Sequence, residues 1–313
     1  MTPIFKLEAN DKDVTAKINL DASSINFKDE AGEISDEITL KIEGSFKKPK
    51  YEDELKLWLG TKEQGLFYCG FFKAQSSKSK IGSGNSIEVR ATAADFTKNL
   101  KVKRSLSYEQ SSIKKIVELI ATRNKLEIAC DFEDIFILHL EQTNESDLHF
   151  LKRIAGEYNA IFSVKNNKLV FKKRIKDGQK NKDLPRFDLI VDEQTTVDIE
   201  QANKTLYNSC TAIWRDTKEN TQKSITVGSG EPIKTIKDSF ESVADAKLKA
   251  AATLQKANRG TKFGTIQSAG FELYAGGVLN LIGTLEDDGE YEIKSANHTL
   301  DGSGWNVSIE IEN

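Results

Sequence analysis

Glu37-Ile38-Thr39-Leu40-Lys41-Ile42-Glu43 alternates polar residues with isoleucine and leucine at every second position. In an extended chain successive side chains point to opposite faces, so Ile38, Leu40 and Ile42 share one side and the other is left to solvent. The same period returns in Glu54-Leu55-Lys56-Leu57-Trp58-Leu59 and in Ser86-Ile87-Glu88-Val89-Arg90-Ala91-Thr92. Gly44, Gly60, Gly65, Gly70 and Gly82-Ser83-Gly84 punctuate these runs, as tight turns require. Short half-buried strands at this spacing predict a sandwich or small barrel over residues 1–103.

The pattern changes near Arg104. Behind Ser111-Ser112, which can cap a helix, Ile113, Ile116, Val117, Ile120 and Ala121 recur at helical spacing. A strand-like Ile135-Phe136-Ile137-Leu138 leads to a second expected helix. Asn144 can cap it, with Glu145 and Asp147 in its first turn, where carboxylates meet the positive end of the helix dipole. Leu148, Leu151, Ile154, Ala155 and Tyr158 make its apolar stripe, and Asn166-Asn167 reads as the turn of a following hairpin. Residues 104–176 thus predict a small α+β domain, the insert in a mainly β chain.

Lys172 to Pro185 is polar and basic and contains Asp177-Gly178, which marks a linker or long loop. No aromatic residues interleave its charges, which favours a solvated loop over a nucleic-acid patch. Strands resume across residues 177–313, interrupted by a helix near 242–258, for which Ser242 is the cap and Asp245 the reciprocal capping-box position. Leu55-Lys56-Leu57-Trp58-Leu59-Gly60 resembles Val278-Leu279-Asn280-Leu281-Ile282-Gly283. Each is followed by a glycine turn, a strand, Gly-Ser-Gly and a closing alternating strand, Ile87 to Arg90 in one case and Val307 to Ile311 in the other. Two readings stand: a structural duplication flanking the α+β insert, or two unrelated hairpins with the same pattern.

Composition narrows the function. A net charge of −3 gives no electrostatic case for wrapping nucleic acid, and no run of about 18 apolar residues marks a membrane span. Cys69, Cys130 and Cys210 are far apart and flanked by apolar or small residues, which predicts buried thiols in a reduced compartment. His139, His149 and His298 are equally scattered, so no metal site is expected. Phosphate loops, zinc-binding His-Glu-x-x-His and nucleophile elbows are missing from the sequence. Acid pairs such as Asp287-Asp288, or Glu145 with Asp147, read first as a turn and as helix-start charges. The expectation is no catalytic residue, no metal and no cofactor.

Leu140-Glu141-Gln142-Thr143-Asn144-Glu145-Ser146-Asp147-Leu148-His149-Phe150-Leu151-Lys152-Arg153-Ile154-Ala155 resembles the signature of the phage late control protein D family. These are baseplate hub proteins of contractile tails, related to the hub part of type VI secretion spikes. The family pattern is Gln, a few polar residues, Glu-Ser-Asp and a helix reading Leu-x-Phe-Leu-x-Arg-Leu-Ala, with Ile154 here in place of the last Leu. Gly70-Phe71-Phe72 near the start and Tyr274-Ala275-Gly276-Gly277-Val278-Leu279 near the end fit as well, so the resemblance covers nearly the whole chain.

The resemblance implies two tail-tube-like β-barrel domains flanking the α+β domain, and a homotrimer forming a pseudo-sixfold ring. It further implies a non-enzymatic role joining a hexameric tail tube to a trimeric spike, among other baseplate proteins. The chain closes on a strand at Asn313 without a β-helical extension, so the spike is expected to be a separate protein. Assembly in the bacterial cytoplasm followed by residence in a phage tail or phage-like particle is expected, with no membrane insertion and no sequence-specific nucleic acid. Gln142, Glu145, Ser146 and Asp147 become the marked residues, as assembly contacts or as the motif that orders the middle domain. Capping accounts for Asp147 on local grounds; Gln142 and Ser146 are less well explained. Two rivals remain: a tail-associated cell-wall hydrolase or carbohydrate-binding protein, and a tail-tube or adaptor protein. The first would need clustered aromatics or a poised carboxylate, and the second would not need a middle domain.

Overall fold

The computed structural model describes residues 2–31, 35–82, 84–93, 98–132, 136–165, 167–176, 179–202, 206–216, 219–240 and 242–313. Ser83, Ile135, Asn166 and Asp177-Gly178, which carried turn, strand and loop expectations, lie outside the described residues. The protein is mainly β, with three α-helices among the described residues: α1 (Ile113–Arg123), α2 (Asp147–Glu157) and α3 (Val243–Asn258). The chain forms two compact units, each assembled from separated stretches. The first comprises Met1–Phe96, Leu184–Glu200 and Phe263–Glu312; the second comprises Thr97–Asp183 and Gln201–Lys262, with Asn313.

One sheet carries the first unit. Its strands lie in the order Thr196–Gln201, Lys262–Ala269, Gly304–Glu312, Gly289–Asp301, Ser24–Glu30, Glu37–Glu43, Ser86–Ala93, Gly65–Lys80, Glu54–Thr61, Pro3–Ala9 and Lys12–Asp13. Off this path, Val278–Ile282 pairs with both Gly289–Asp301 and Arg186–Ile190. Of the two readings of the repeat, strand pairing supports duplication. Glu54–Thr61, Gly65–Lys80 and Ser86–Ala93 form an antiparallel meander that Glu37–Glu43 extends. Val278–Ile282, Gly289–Asp301 and Gly304–Glu312 form its counterpart, which Lys262–Ala269 extends. The halves differ at the outer strand: Pro3–Ala9 is antiparallel to its neighbour and Arg186–Ile190 is parallel.

The halves join through Ser24–Glu30, whose residues Ile25 to Glu30 pair antiparallel with Leu300 to Ser295. Leu300 and Trp305 consequently lie in the apolar core built from Phe27, Leu57, Phe72 and Val89, on the N-terminal side of the seam. A second core on the C-terminal side gathers Ile266, Leu279, Leu281, Ile293 and Ile309. Gly270 shows how closely the backbone approaches Trp305: a Cβ at this position would lie 2.1 Å from its ring.

In the second unit, strand Lys103–Ser112 pairs with Phe136–Ser146, and Lys168–Lys173 lies between Ala160–Lys165 and Glu127–Cys130. The helices cover a core that includes Ile116, Ile120, Phe150, Ile154 and Phe171. As expected, Ser112 caps α1 by accepting the Lys115 N–H at 3.3 Å. Part of the expected loop 172–185 is anchored: buried Asn181 donates to the Asp131 carboxylate and to the Lys173 carbonyl at 2.7 Å. Sequence order alone assigns α3 to the C-terminal β stretch. In space, Ala246 and Ala250 pack on Cys210, Ala212 and Trp214 of the small sheet Thr221–Gly228, Ser209–Asp216 and Ile233–Lys237. Ser242 caps α3, but Asp245 accepts from Tyr158 Oη at 2.9 Å, next to the end of α2. Cys69 and Cys210 are buried and Cys130 is half-buried; all three are free thiols.

His298 sits on the seam of the first unit, fully buried, stacked on Phe27 at 5.6 Å between ring centroids and 5.8 Å from Trp305. Neither ring nitrogen has a hydrogen-bond partner. Burial pushes its pKa down to about 4, with Asp29 opposing the shift. An unfolded histidine takes up its proton near pH 6.5. As pH falls below that value the unfolded chain therefore binds a proton that the folded chain refuses, and stability is lost until about pH 4. In urea unfolding, the wild type should lose about 2 kcal/mol more than a His298→Leu variant between pH 7 and pH 5. Equal losses in the two proteins would refute this account of His298.

Candidate functional site

The marked residues lie where strand Phe136–Ser146 turns into α2. Register with Lys103–Ser112 shifts between Gln142 and Glu145, and Asn144 takes a left-handed φ of 50° inside this bulge. Asparagine tolerates that conformation better than most residues because its short polar side chain finds local partners. The bulge corrects the expected helix start. Ser146, in extended conformation, is the cap and accepts the His149 N–H at 3.2 Å, while Asn144 and Glu145 precede the helix. Two helix-compatible caps two residues apart cannot be ranked without the strand pairing that holds Asn144 out of the helix.

Gln142 and Asp147 form a buried polar knot. The Asp147 carboxylate, with no exposed surface, accepts Arg123 Nη2 at 2.6 Å and Gln142 Nε2 at 3.0 Å on Oδ1. Its Oδ2 accepts Arg123 Nε at 3.1 Å and Asn124 Nδ2 at 2.9 Å, with Arg104 Nε at 3.8 Å. Gln142 closes the bulge by also donating to the Glu145 carbonyl at 3.0 Å, and its Oε1 accepts from Tyr108 Oη at 3.1 Å. A two-pronged guanidinium and two amides occupy both carboxylate oxygens, so the group is committed to holding the protein together. The knot ties the C-terminus of α1, the N-terminus of α2 and both strands of this antiparallel pair to one point.

Glu145 and Ser146 flank the knot nearer the surface. Glu145 accepts Arg153 Nη2 at 2.6 Å and pairs with His149 Nδ1, four residues on, at 2.9 Å. Burial works to raise its carboxyl, but the hydrogen bonds from Arg153 and His149 outweigh this and hold it below the ordinary range. Arg153 also reaches the Glu141 carbonyl at 2.7 Å, fastening helix to strand.

Sequence reasoning marked the acids and passed over their partners. Arg123 and Asn124 end α1, where a basic residue reads as a dipole partner and an asparagine as a helix stop. Nothing local tells Tyr108 or Arg104 that Asp147 will lie beside them. No group of three or more His, Cys, Asp or Glu converges among the described residues.

No family model matches the chain. Over 228 residues it is 29% identical to the "Probable baseplate hub protein" of Escherichia phage 186, and equally to that of Escherichia phage P2. The chain is a relative of these hub proteins. The match takes in 70% of this chain and 58% of each relative, so well under two thirds of their length is represented. Likeness in fold extends further. The tail protein from Neisseria meningitidis MC58 superposes with a TM-score of 0.73 over 100% of this chain and 97% of its own, at 10% identity. The 43 kDa tail protein of prophage MuSo2 from Shewanella oneidensis gives 0.68 over 99% and 98%, at 13% identity. A type VI secretion system component from E. coli gives 0.58 over 98% and 76%, at 12% identity.

The knot makes the marked residues unequal. Removing one partner of a buried ion pair leaves the other uncompensated, so Asp147→Ala should destabilise the second unit by about 3–5 kcal/mol. Glu145→Ala, at a partly exposed pair, should cost about 1 kcal/mol or less. Denaturant titration read on second-unit signals checks the order; a Glu145 effect equal to that of Asp147 would show that the knot is not the anchor.

Proposed function

We propose that this protein is a baseplate hub component of a contractile phage or phage-like tail. In this reading it forms a trimeric, pseudo-sixfold ring that joins a hexameric tail tube to a trimeric spike. The observation that carries the proposal is the pairing of hub-protein relatives in sequence with a tail-protein fold spanning essentially the whole chain. The duplicated meander supports it independently. Two similar β halves per chain are what a three-chain ring needs to meet a six-fold partner, and cyclic closure gives the assembly a finite size.

We read the two meander halves as tube-like barrels around an α+β middle domain. The bounds expected from sequence, 1–103, 104–176 and 177–313 with its linker, shift because residues 201–262 group with the middle domain. Gln142, Glu145, Ser146 and Asp147 act in this reading as the middle domain's ordering motif. The buried position of Gln142 and Asp147 supports an indirect role, through the surface they hold in place. The work is docking, without catalysis. Saturation of Asp147 and the pairing of Glu145 with Arg153 and His149 fit that role. No helix among the described residues is long and apolar enough to cross a membrane.

Sedimentation of the purified chain, alone and with a candidate spike protein, tests the ring. Three chains per particle is the expected mass. A stable hexamer, or a chain that stays single even with the spike, overturns it.

A further inference from the structure

Leu285 is 91% exposed, the highest value among the exposed large apolar residues, and its φ is +62°. A branched side chain in left-handed backbone is disfavoured, and such outliers persist only where surrounding structure imposes them. Here the imposing groups are explicit. The Asp288 carboxylate accepts the N–H groups of Gly283 and Thr284 at 2.8 and 2.6 Å and the Thr284 hydroxyl at 2.8 Å. Tyr291 Oη donates to the Asp287 carbonyl at 2.8 Å. The loop is thus braced to present an apolar tip, with Glu286, Asp287 and Asp288 directly behind it.

Elsewhere in the same unit a pocket of about 520 Å³ opens between the N-terminal meander and the segments around residues 10–18 and 46–50. Its floor is apolar, built by Leu7, Leu40, Ile42, Leu55 and Val89. Exposed Lys17, Lys47, Lys48 and Lys50 stand on its rim. Asp53 is also at the rim, with its carboxylate turned to the Lys50 N–H at 2.8 Å. An apolar floor inside a cationic rim selects an apolar group carrying negative charge. Ile81, at 85% exposure, is the next most exposed aliphatic side chain, but it follows Lys78 and Lys80 and would meet like charge at the rim. The Leu285 loop has the complementary sign.

We propose that the Leu285 loop of one chain seats in this pocket on a second copy of the chain, with Glu286 and Asp287 against the rim lysines. Tip and pocket are different surfaces, so the contact is head-to-tail, the kind that generates a ring when its rotation closes. The proposal rests on the ring reading above and names one interface within it. It also accounts for a leucine at a position where asparagine or glycine would relax the backbone.

Association of the full-length chain is measured by sedimentation equilibrium for the wild type, Leu285→Asn, a Lys47→Glu/Lys48→Glu rim variant, and a variant combining that rim with Glu286→Lys/Asp287→Lys. Asparagine keeps the left-handed turn, so Leu285→Asn should melt no lower than the wild type while associating about tenfold or more weakly, as expected for loss of a central apolar anchor. The rim variant should weaken likewise, and the combined reversal should recover. If the wild type is a trimer and Leu285→Asn leaves it intact, the interface is overturned and the ring reading stands. Failure of the combined reversal to recover also overturns the pairing. If the wild type forms some other oligomer that depends on Leu285, the interface holds and the trimer reading falls. A wild type that stays single at every concentration and with the spike refutes both.

Discussion

The antiparallel register between Ser24–Glu30 and Gly289–Asp301 is the constraint on which the first unit depends. Because side chains alternate with a period of two, a slip of one residue would turn His298 and Leu300 out of the core and Asn297 and Thr299 into it. The register is held by what it buries: Phe27 stacked on His298, and Leu300 and Trp305 inside a core otherwise made by the first ninety or so residues. Pairing segments from opposite ends of the chain also explains why the first unit is discontinuous in sequence. Everything between Phe96 and Phe263, apart from Leu184–Glu200, is organised as its own compact body.

That second body uses a different device. Its helices are short, and short helices gain most of their stability from packing rather than propensity. The Asp147 carboxylate supplies a polar fixed point under both α1 and α2, reached by Arg123, Asn124 and Gln142. A second polar link, Tyr158 to Asp245, with Asn159 donating to Gln255 at 3.0 Å, brings α3 to the end of α2. A buried carboxylate with all its partners in place orders its neighbours closely, since every competing arrangement strands a charge. The segment that resembles hub proteins in sequence contains this knot, and the likeness in fold to tail proteins spans essentially the whole chain. Structural demands account for the motif, while the surfaces proposed to dock, the Leu285 tip and the lysine-rimmed pocket, were not marked by any sequence motif.

What the amino-acid sequence determined by itself was local and periodic. Alternation at Glu37–Glu43, Glu54–Leu59 and Ser86–Thr92 specified strands and their inward faces, and the helical spacing from Ile113 to Ala121 specified α1 with its Ser112 cap, because these patterns depend on neighbours a few residues apart. The repeat of Leu55–Gly60 in Val278–Gly283 was legible for the same reason. Tertiary structure decided the rest. It held Asn144 in a bulge and made Ser146 the cap; it gave Asp147 partners from α1 and Asp245 a partner beyond α2; and it set α3 on the sheet of Cys210 and Trp214. Each of those outcomes turns on a charge or an apolar face meeting a group distant in sequence, and such meetings have no period for a sequence to display.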